Sequence, residues 1–193
     1  MKVSIFFVSV IMILSSCNNS QPSPKDNAEK AVPEKQSFIP VTSIIKGELY
    51  EIKNKGVNPL KYTSSNNRTD SAWLKLEELN EAVKEFLQPE IDSVNLVSLF
   101  TEKSFLDQSI NAVTFTYEPT GPLPDSMTLK NWDVYLDPES GKVKRIYIVK
   151  EISKTKTLQL TWLSRKWCKV TTIITDEKGI SSVEKEEKIT WDF

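Results

Sequence analysis

The residues of this chain that could do chemistry are carboxylates and two cysteines, because its 193 residues contain no histidine. Without an imidazole there is neither the base of a Ser-His-Asp or Cys-His site nor a histidine ligand for zinc. Two carboxylates can still hydrolyse a glycosidic bond as acid and base. The candidate pairs are Asp133 with Asp137 and Glu186 with Glu187. Neighbouring residues of a strand point to opposite faces, so we expect the second pair not to converge.

The two cysteines, Cys17 and Cys168, lie in different contexts. Cys168 falls in a strand-like run, where a lone thiol is typical of a small buried apolar side chain, and no histidine can act as its base. Cys17 follows Lys2 and the apolar stretch Val3–Leu14. At about 1.5 Å per residue this stretch is too short to cross a bilayer core of about 30 Å. It therefore predicts an export signal peptide over residues 1–16.

The sequence Leu14-Ser15-Ser16-Cys17 resembles the lipobox of bacterial lipoproteins, which is a leucine, two small residues and a cysteine. The resemblance implies that a signal peptidase cuts before Cys17 and that the thiol carries a diacylglyceryl group. It also implies that this lipid anchors the protein to a membrane. Asn18 is compatible with sorting to the outer membrane, facing the periplasm or the cell surface. An ordinary secretory signal with a chance cysteine is the alternative.

Composition divides the rest of the chain into a tether and a domain. Residues 18–40 hold four of the ten prolines and no glycine, which predicts a flexible tether over residues 17–40. Residues 41–193 are enough for a single domain. The formal net charge of −1 and the export signal argue against a nucleic-acid partner. With five glycines and no calcium-loop spacing, we expect no cofactor and no metal.

Hydrophobic periodicity predicts one helix in the first half of this domain. A run rich in β-branched and aromatic residues predicts a strand over Ile44–Lys53, followed by a loop over Asn54–Thr69. Helical spacing of apolar residues then predicts an amphipathic helix over Ser71–Gln88. Asp70 is its expected N-cap and Pro89 its expected stop.

After residue 89 the apolar period changes to two, which predicts antiparallel strands joined by short turns. The predicted strands are Val94–Phe100, Ala112–Glu118, 131–137, Val143–Ile152, Thr157–Trp162, Lys166–Thr175 and one ending at Phe193. The clearest hairpin turns are predicted at Asp137–Lys142 and Asp176–Gly179. The predicted fold class is therefore α+β, with one amphipathic helix packed on a mostly antiparallel meander sheet of five to seven strands. A lipocalin-like or half-open β-barrel is the alternative.

The segment Lys142–Lys169 holds nine basic residues and one acid. One interpretation is a surface that meets an anionic glycan, an anionic lipid or an envelope protein. The residues of this candidate surface are Lys142, Lys144, Arg145, Lys150, Arg165, Lys166, Lys169 and Trp167. The other interpretation is cross-strand pairing with Glu184, Glu186 and Glu187. The second is favoured because a charge excess is more often a solvated face than a site.

Five tryptophans could line a ligand groove or fill a core. Trp132, Trp162 and Trp191 share the inward parity of their strands, and Trp73 lies on the predicted helix, which favours the core for these four. Trp167 adjoins a turn and is the expected exposed one.

Two further short resemblances concern local segments. Trp132–Ile148 is similar to the strand–turn–strand end of PepSY-type extracytoplasmic domains, a pattern that any good hairpin needs, and it implies no function. Asp92-Ser93-Val94 and Asp125-Ser126-Met127 resemble the acceptor motif of periplasmic O-glycosylation. That resemblance implies Ser93 and Ser126 as modification sites.

Together these features predict a membrane-anchored lipoprotein of the cell envelope with a non-catalytic binding or accessory domain. The first alternative is a barrel that binds a lipid or small molecule in a closed apolar cavity. The second is a histidine-free hydrolase, which requires two carboxyl groups converging in one cleft.

Overall fold

The computed structural model describes residues 37–191, which form nine strands, two α-helices and a 3₁₀ helix. The helices are α1 (Val41–Lys55), α2 (Leu79–Ala82) and the 3₁₀ helix Lys84–Phe86. The strands are β1 (Leu60–Ser65), β2 (Arg68–Trp73), β3 (Phe100–Asp107), β4 (Ala112–Pro119), β5 (Leu129–Leu136), β6 (Val143–Ser153), β7 (Lys156–Leu163), β8 (Trp167–Thr175) and β9 (Ser181–Thr190). Cys17, the predicted signal peptide and most of the predicted tether lie outside the described residues, as does Phe193.

All nine strands belong to one antiparallel sheet in the order β2-β1-β9-β8-β7-β6-β5-β4-β3. Strands β3 to β9 form a meander, and the β1–β2 hairpin is added where β1 pairs with β9. The mostly antiparallel sheet is therefore confirmed. The sheet has nine strands, more than the five to seven that were predicted. It is an open sheet and not the lipocalin-like or half-open barrel of the alternative, because β2 and β3 each pair with only one described strand.

Helix α1 occupies the segment that was predicted as the strand Ile44–Lys53, and that prediction was wrong. Its buried apolar residues recur every three or four positions, which places them on one face of a helix. They are Val41, Ile45, Leu49 and Ile52. The β-branched content that suggested a strand is a weak preference, and burial of a complete apolar face overrides it.

The predicted helix over Ser71–Gln88 was also wrong. Asn66 and Asn67 both have positive φ, at 50° and 59°, as a type I′ hairpin turn requires. This turn draws residues 68–73 into β2, so that Trp73 is 72 % exposed instead of packing in the core. Helical structure remains only in α2 and in the 3₁₀ helix that follows it.

The segment predicted as the strand Val94–Phe100 consists mainly of turns, and β3 begins where that strand was expected to end. The carboxylate of Asp92 accepts hydrogen bonds from the backbone N–H groups of Val94, at 2.7 Å, and Asn95, at 2.8 Å. These bonds hold the pKa of Asp92 below its ordinary value and compete with strand formation. The neighbouring prediction, Ala112–Glu118, is confirmed as β4.

The two predicted hairpin turns are confirmed, and an aspartate organises each of them. Asp137 accepts a hydrogen bond from the backbone N–H of Ser140 at 2.8 Å, and Gly141 supplies the positive φ of 66° that the turn needs. Asp176 accepts hydrogen bonds from the backbone N–H groups of Lys178 and Ile180, both at 2.9 Å. Both turns join neighbouring strands of the meander, β5 to β6 and β8 to β9.

The core lies between the helices and one face of the sheet, which we call the inner face. Trp132, Trp162 and Trp191 are buried on this face, as their strand parity predicts. Trp132 stacks on Tyr117 with ring centroids 4.5 Å apart. Phe38 packs edge-on against Tyr117 at 4.9 Å and is buried, so the folded unit includes residues before α1.

Helix α1 is fixed to β7 and to the β7–β8 turn through the carboxylate of Glu48. This carboxylate accepts hydrogen bonds from the indole Nε1–H of Trp162 at 2.9 Å, from the hydroxyl of Ser164, and from the backbone N–H of Arg165 at 3.0 Å. Ser164 and Arg165 lie in the β7–β8 turn. Glu48 therefore joins the helix, the core and a turn at one point.

We predict that Glu48→Ala lowers the free energy of unfolding by about 3 kcal/mol, because three donors lose a charged acceptor and the buried indole N–H is left unpaired. The matched control is Glu51→Ala on the same helix, whose carboxylate is half-exposed and lies 3.7 Å from the guanidinium of Arg165. The control is expected to cost less than about 1 kcal/mol. Urea denaturation of both variants measures the difference, and equal losses would contradict this role of Glu48.

Candidate functional site

The inner face carries an open trough with a volume of about 530 Å³. Its floor is largely apolar and is made by Ala82, Ile152, Leu158, Cys168, Val170, Thr172 and Ile189. Its rim is charged and is made by Lys61, Glu81, Lys84, Glu85, Lys156, Glu184, Lys185 and Glu187. An apolar floor inside a charged rim suits a ligand with an apolar body and a polar end.

Strands β7, β8 and β9 supply most of the floor through their inward-facing residues. Leu158, Val170 and Ile189 each point inward because side chains alternate along a strand. The period of two could therefore have located the floor in the sequence. The walls of the trough could not be located from the sequence in this way. Strand β1 lies in a segment that was predicted as a loop, and the short helices lie in a segment that was predicted as a single long helix.

One wall of the trough is held by an ion pair between buried Lys150 and partly exposed Glu85. Lys150 is only 3 % exposed, and its ammonium group donates to the carboxylate and to the backbone carbonyl of Glu85. Next to this pair, Phe86 packs edge-on against Trp162 with ring centroids 5.4 Å apart. These contacts fix the 3₁₀ helix against β6 and β7, so the wall keeps its position relative to the floor.

The rim charges form ion pairs with one another. Glu187 lies 2.7 Å from the ammonium of Lys61 and 3.0 Å from that of Lys185, and Lys156 lies 3.8 Å from Glu184. Burial opposes ionisation of Glu187, but the hydrogen bonds and charges of its two lysines outweigh it and lower the pKa of this carboxyl. The rim holds four lysines and four glutamates, so its basic and acidic side chains are equal in number.

Cys168 contributes its thiol to the floor of the trough and is 2 % exposed, as a buried thiol was predicted. Burial raises the pKa of this thiol far above its ordinary value, so it is protonated at neutral pH. A protonated buried thiol behaves as a small apolar group. Cys168 therefore extends the apolar floor.

The structure does not bring the predicted basic residues together on one surface. Lys150 is buried on the inner face, whereas Trp167 and Lys169 line a hollow on the opposite face, which we call the outer face. Arg145 lies in a second hollow of the outer face, with its guanidinium over the ring of Tyr135. Lys142 lies at the end of the β5–β6 turn and Lys144 near the start of β6, whereas Arg165 and Lys166 lie in the β7–β8 turn.

Several of these basic groups have partners within the domain. Lys169 pairs with Glu186 at 2.8 Å, which is the cross-strand pairing that the sequence favoured. The ammonium group of Lys144 donates to the backbone carbonyl of Asn111 at 3.1 Å. With Lys150 paired to Glu85, the basic run of the sequence is largely divided among internal contacts.

The candidate carboxylate pairs do not converge. Glu186 contacts Lys169 on the outer face, whereas Glu187 contacts Lys61 on the inner face, as their adjacent positions predict. Asp137 accepts the hydrogen bonds of its own turn, and Asp133 lies on the outer face of β5. Within residues 37–191, no group of three or more cysteine, aspartate or glutamate side chains is placed to hold a metal ion.

The two serines of the acceptor motif differ in accessibility. Ser126 is exposed in the loop between β4 and β5. Ser93 is half-buried, and its backbone carbonyl accepts a hydrogen bond from the N–H of Phe38 at 2.9 Å. Of the two, Ser126 is the more open to a modifying enzyme.

No family model matches this chain, no curated protein is significantly similar to it, and no solved structure matches its fold. Among the helices of residues 37–191, none has the length and apolar character needed to span a bilayer. The features of the chain that bear on function are therefore the trough, the outer face and the N-terminal sequence.

We predict that the ion pairs of Glu187 make stability depend on pH below about 4.5, the ordinary pKa of a glutamate. A carboxyl with a lowered folded pKa adds stability above its unfolded pKa, and this stability is lost as the pH falls through the folded value. Glu187→Gln should therefore flatten the fall in melting temperature between pH 4.5 and pH 3. Glu177→Gln, in the exposed β8–β9 turn, is the control and should follow the wild-type curve. Parallel curves for wild type and Glu187→Gln would contradict the prediction.

Proposed function

We propose that this chain is a membrane-anchored lipoprotein of the cell envelope whose domain is a non-catalytic binding module. The trough is its binding site, and small amphiphiles are its ligands. The observation that carries the proposal is the apolar floor of Leu158, Val170 and Ile189 inside a rim of paired charges. This combination lets a ligand bury an apolar chain while its polar end stays at the rim.

The size and chemistry of the trough support binding rather than catalysis. A volume of about 530 Å³ lies within the range of small-molecule sites. The floor offers mainly methyl groups and one protonated thiol, which bind apolar surface but do not activate a substrate. The rim carboxylates are occupied by lysines, as Lys61 and Lys185 occupy Glu187.

The proposed location rests on the N-terminal sequence. The lipobox-like residues Leu14–Cys17 support attachment through a lipid on Cys17, and Asn18 supports the outer membrane. Residues 17–37 would reach about 65 Å if fully extended, which lets the domain meet ligands away from the bilayer surface. The partners of this arrangement are the membrane, through the lipid, and an amphiphile in the trough.

We predict that the intact mass of the wild-type protein corresponds to a chain that begins at Cys17 and carries a diacylglyceryl group. Two acyl chains, with about 0.8 kcal/mol for each buried CH₂, anchor a protein stably. Cys17→Ala should lose both the lipid mass and the cleavage, whereas the control Cys168→Ala should retain both. A wild-type chain that begins elsewhere, or a free thiol at Cys17, would overturn the lipoprotein assignment.

We predict that lysophosphatidylcholine or palmitate binds to a chain that starts at Ser37, and that Val170→Gln weakens this binding about tenfold by placing an amide in the floor. Val149→Gln is the matched control, since Val149 is a half-buried valine of β6 whose side chain does not line the trough. Tryptophan fluorescence titration measures both affinities, and melting curves check the folds. Equal weakening by the two substitutions, or no binding of either probe, would overturn the trough as the binding site.

A further inference from the structure

Five aromatic side chains form a band across the outer face of the sheet, on the side away from the trough. The strand register places three of them, Trp73, Trp167 and Tyr135, in one row across the sheet. In the order of the strands, this row is Trp73, Leu60, Thr190, Trp167, Leu163, Arg145 and Tyr135. The neighbouring row runs through Tyr62, Lys188, Lys169, Thr161, Tyr147 and Asp133. We call Trp73, Tyr62, Trp167, Tyr147 and Tyr135 the aromatic band.

The band is long and narrow. It crosses seven strands, from β2 to β5 in the order of the sheet. At about 4.8 Å between neighbouring strands, the band extends for about 29 Å. Two shallow hollows lie along it, one of about 310 Å³ beside Tyr62 and Trp167 and one of about 320 Å³ beside Tyr135 and Tyr147. An elongated ligand fits this outline better than a compact one.

Cations hold two of the rings in place. The ammonium of Lys188 lies 4.9 Å from the ring centre of Trp167, and the guanidinium of Arg145 lies 3.9 Å from that of Tyr135. Such contacts fix ring orientation before a ligand arrives, which reduces the entropy lost on binding. Burial raises the pKa of Tyr135 and of Tyr147, so their hydroxyls are hydrogen-bond donors at neutral pH.

The hollows also place carboxylates beside cations. Glu186 accepts hydrogen bonds from Lys169 at 2.8 Å and from the hydroxyl of Thr171 at 3.0 Å. In the other hollow, Asp133 lies with Arg145. Together the two hollows contain three cations and two carboxylates, so their charge is almost balanced. Neighbouring hydrogen-bond donors and acceptors match a pair of vicinal hydroxyl groups, because one hydroxyl can accept a hydrogen bond while the other donates one.

We propose that the aromatic band binds an extended oligosaccharide of pyranose sugars. The C–H faces of pyranose rings pack against aromatic rings, and their hydroxyls take up the donor and acceptor pairs between these rings. The balanced charge argues against a strongly acidic protein, and the extended row argues against a protein hot spot, which is a compact central cluster. Aromatic groups rimmed by polar ones are a common mark of a binding surface.

The test uses the full chain in a detergent without a sugar head group and measures heats of binding. The probes are hexasaccharides of β-1,4-linked glucose, N-acetylglucosamine and xylose, and of α-1,4-linked galacturonate, each with its disaccharide. We expect at least one hexasaccharide to bind, and to bind more tightly than its disaccharide. Trp167→Ala should weaken that binding by about tenfold or more, and Trp167→Phe should restore most of it.

The control is Tyr50→Ala, because Tyr50 is 68 % exposed on α1 and lies outside the band. Its affinity should equal that of the wild type. If Trp167→Ala fails to fold, Tyr62→Ala near the sheet edge supplies the same comparison. The proposal is overturned if none of the four hexasaccharides binds at millimolar concentration. It is also overturned if Tyr50→Ala weakens binding as much as the band variants.

Discussion

The carboxylate of Glu48 is the point on which the inner face of this sheet depends. It accepts hydrogen bonds from Trp162 in the core and from Ser164 and Arg165 in the β7–β8 turn. Arg165 has a φ of 64°, a left-handed conformation that costs energy in a residue with a side chain. The hydrogen bond to its N–H offsets part of that cost. Helix α1 is thereby fixed in a position from which none of its residues lines the trough.

A second constraint, the pair Lys150–Glu85, holds one wall of the trough. A lysine that is 3 % exposed needs a partner, because an unpaired buried charge is strongly destabilising. The partner is Glu85 of the 3₁₀ helix. Because Lys150 of β6 needs this partner, the ion pair sets the position of the 3₁₀ helix and thus of the trough wall. The trough is therefore lined by the short helices on one side and by residues of β7, β8 and β9 on its floor.

The alternation of side chains gives this single sheet two independent surfaces. Cys168, Val170 and Ile189 face the trough, whereas their neighbours Trp167, Lys169 and Lys188 face the outer side. Glu187 and Glu186 are divided in the same way. A ligand in the trough and an oligosaccharide on the aromatic band would therefore contact different atoms of the same strands. A substitution on one face would therefore leave the side chains of the other face unchanged.

The meander from β4 to β9 could be predicted from the sequence, because period-two alternation and aspartate-organised turns are local properties that survive in the fold. The sequence also predicted that Trp132, Trp162 and Cys168 would be buried. It failed where local preference and packing disagree: the β-branched segment 44–53 became helix α1, and the helical spacing after Ser71 was interrupted by a hairpin. The trough walls and the aromatic band could be seen only in the tertiary structure. Both join residues more than a hundred positions apart, such as Lys61 with Glu187 and Tyr62 with Lys188, and only strand pairing brings such residues together.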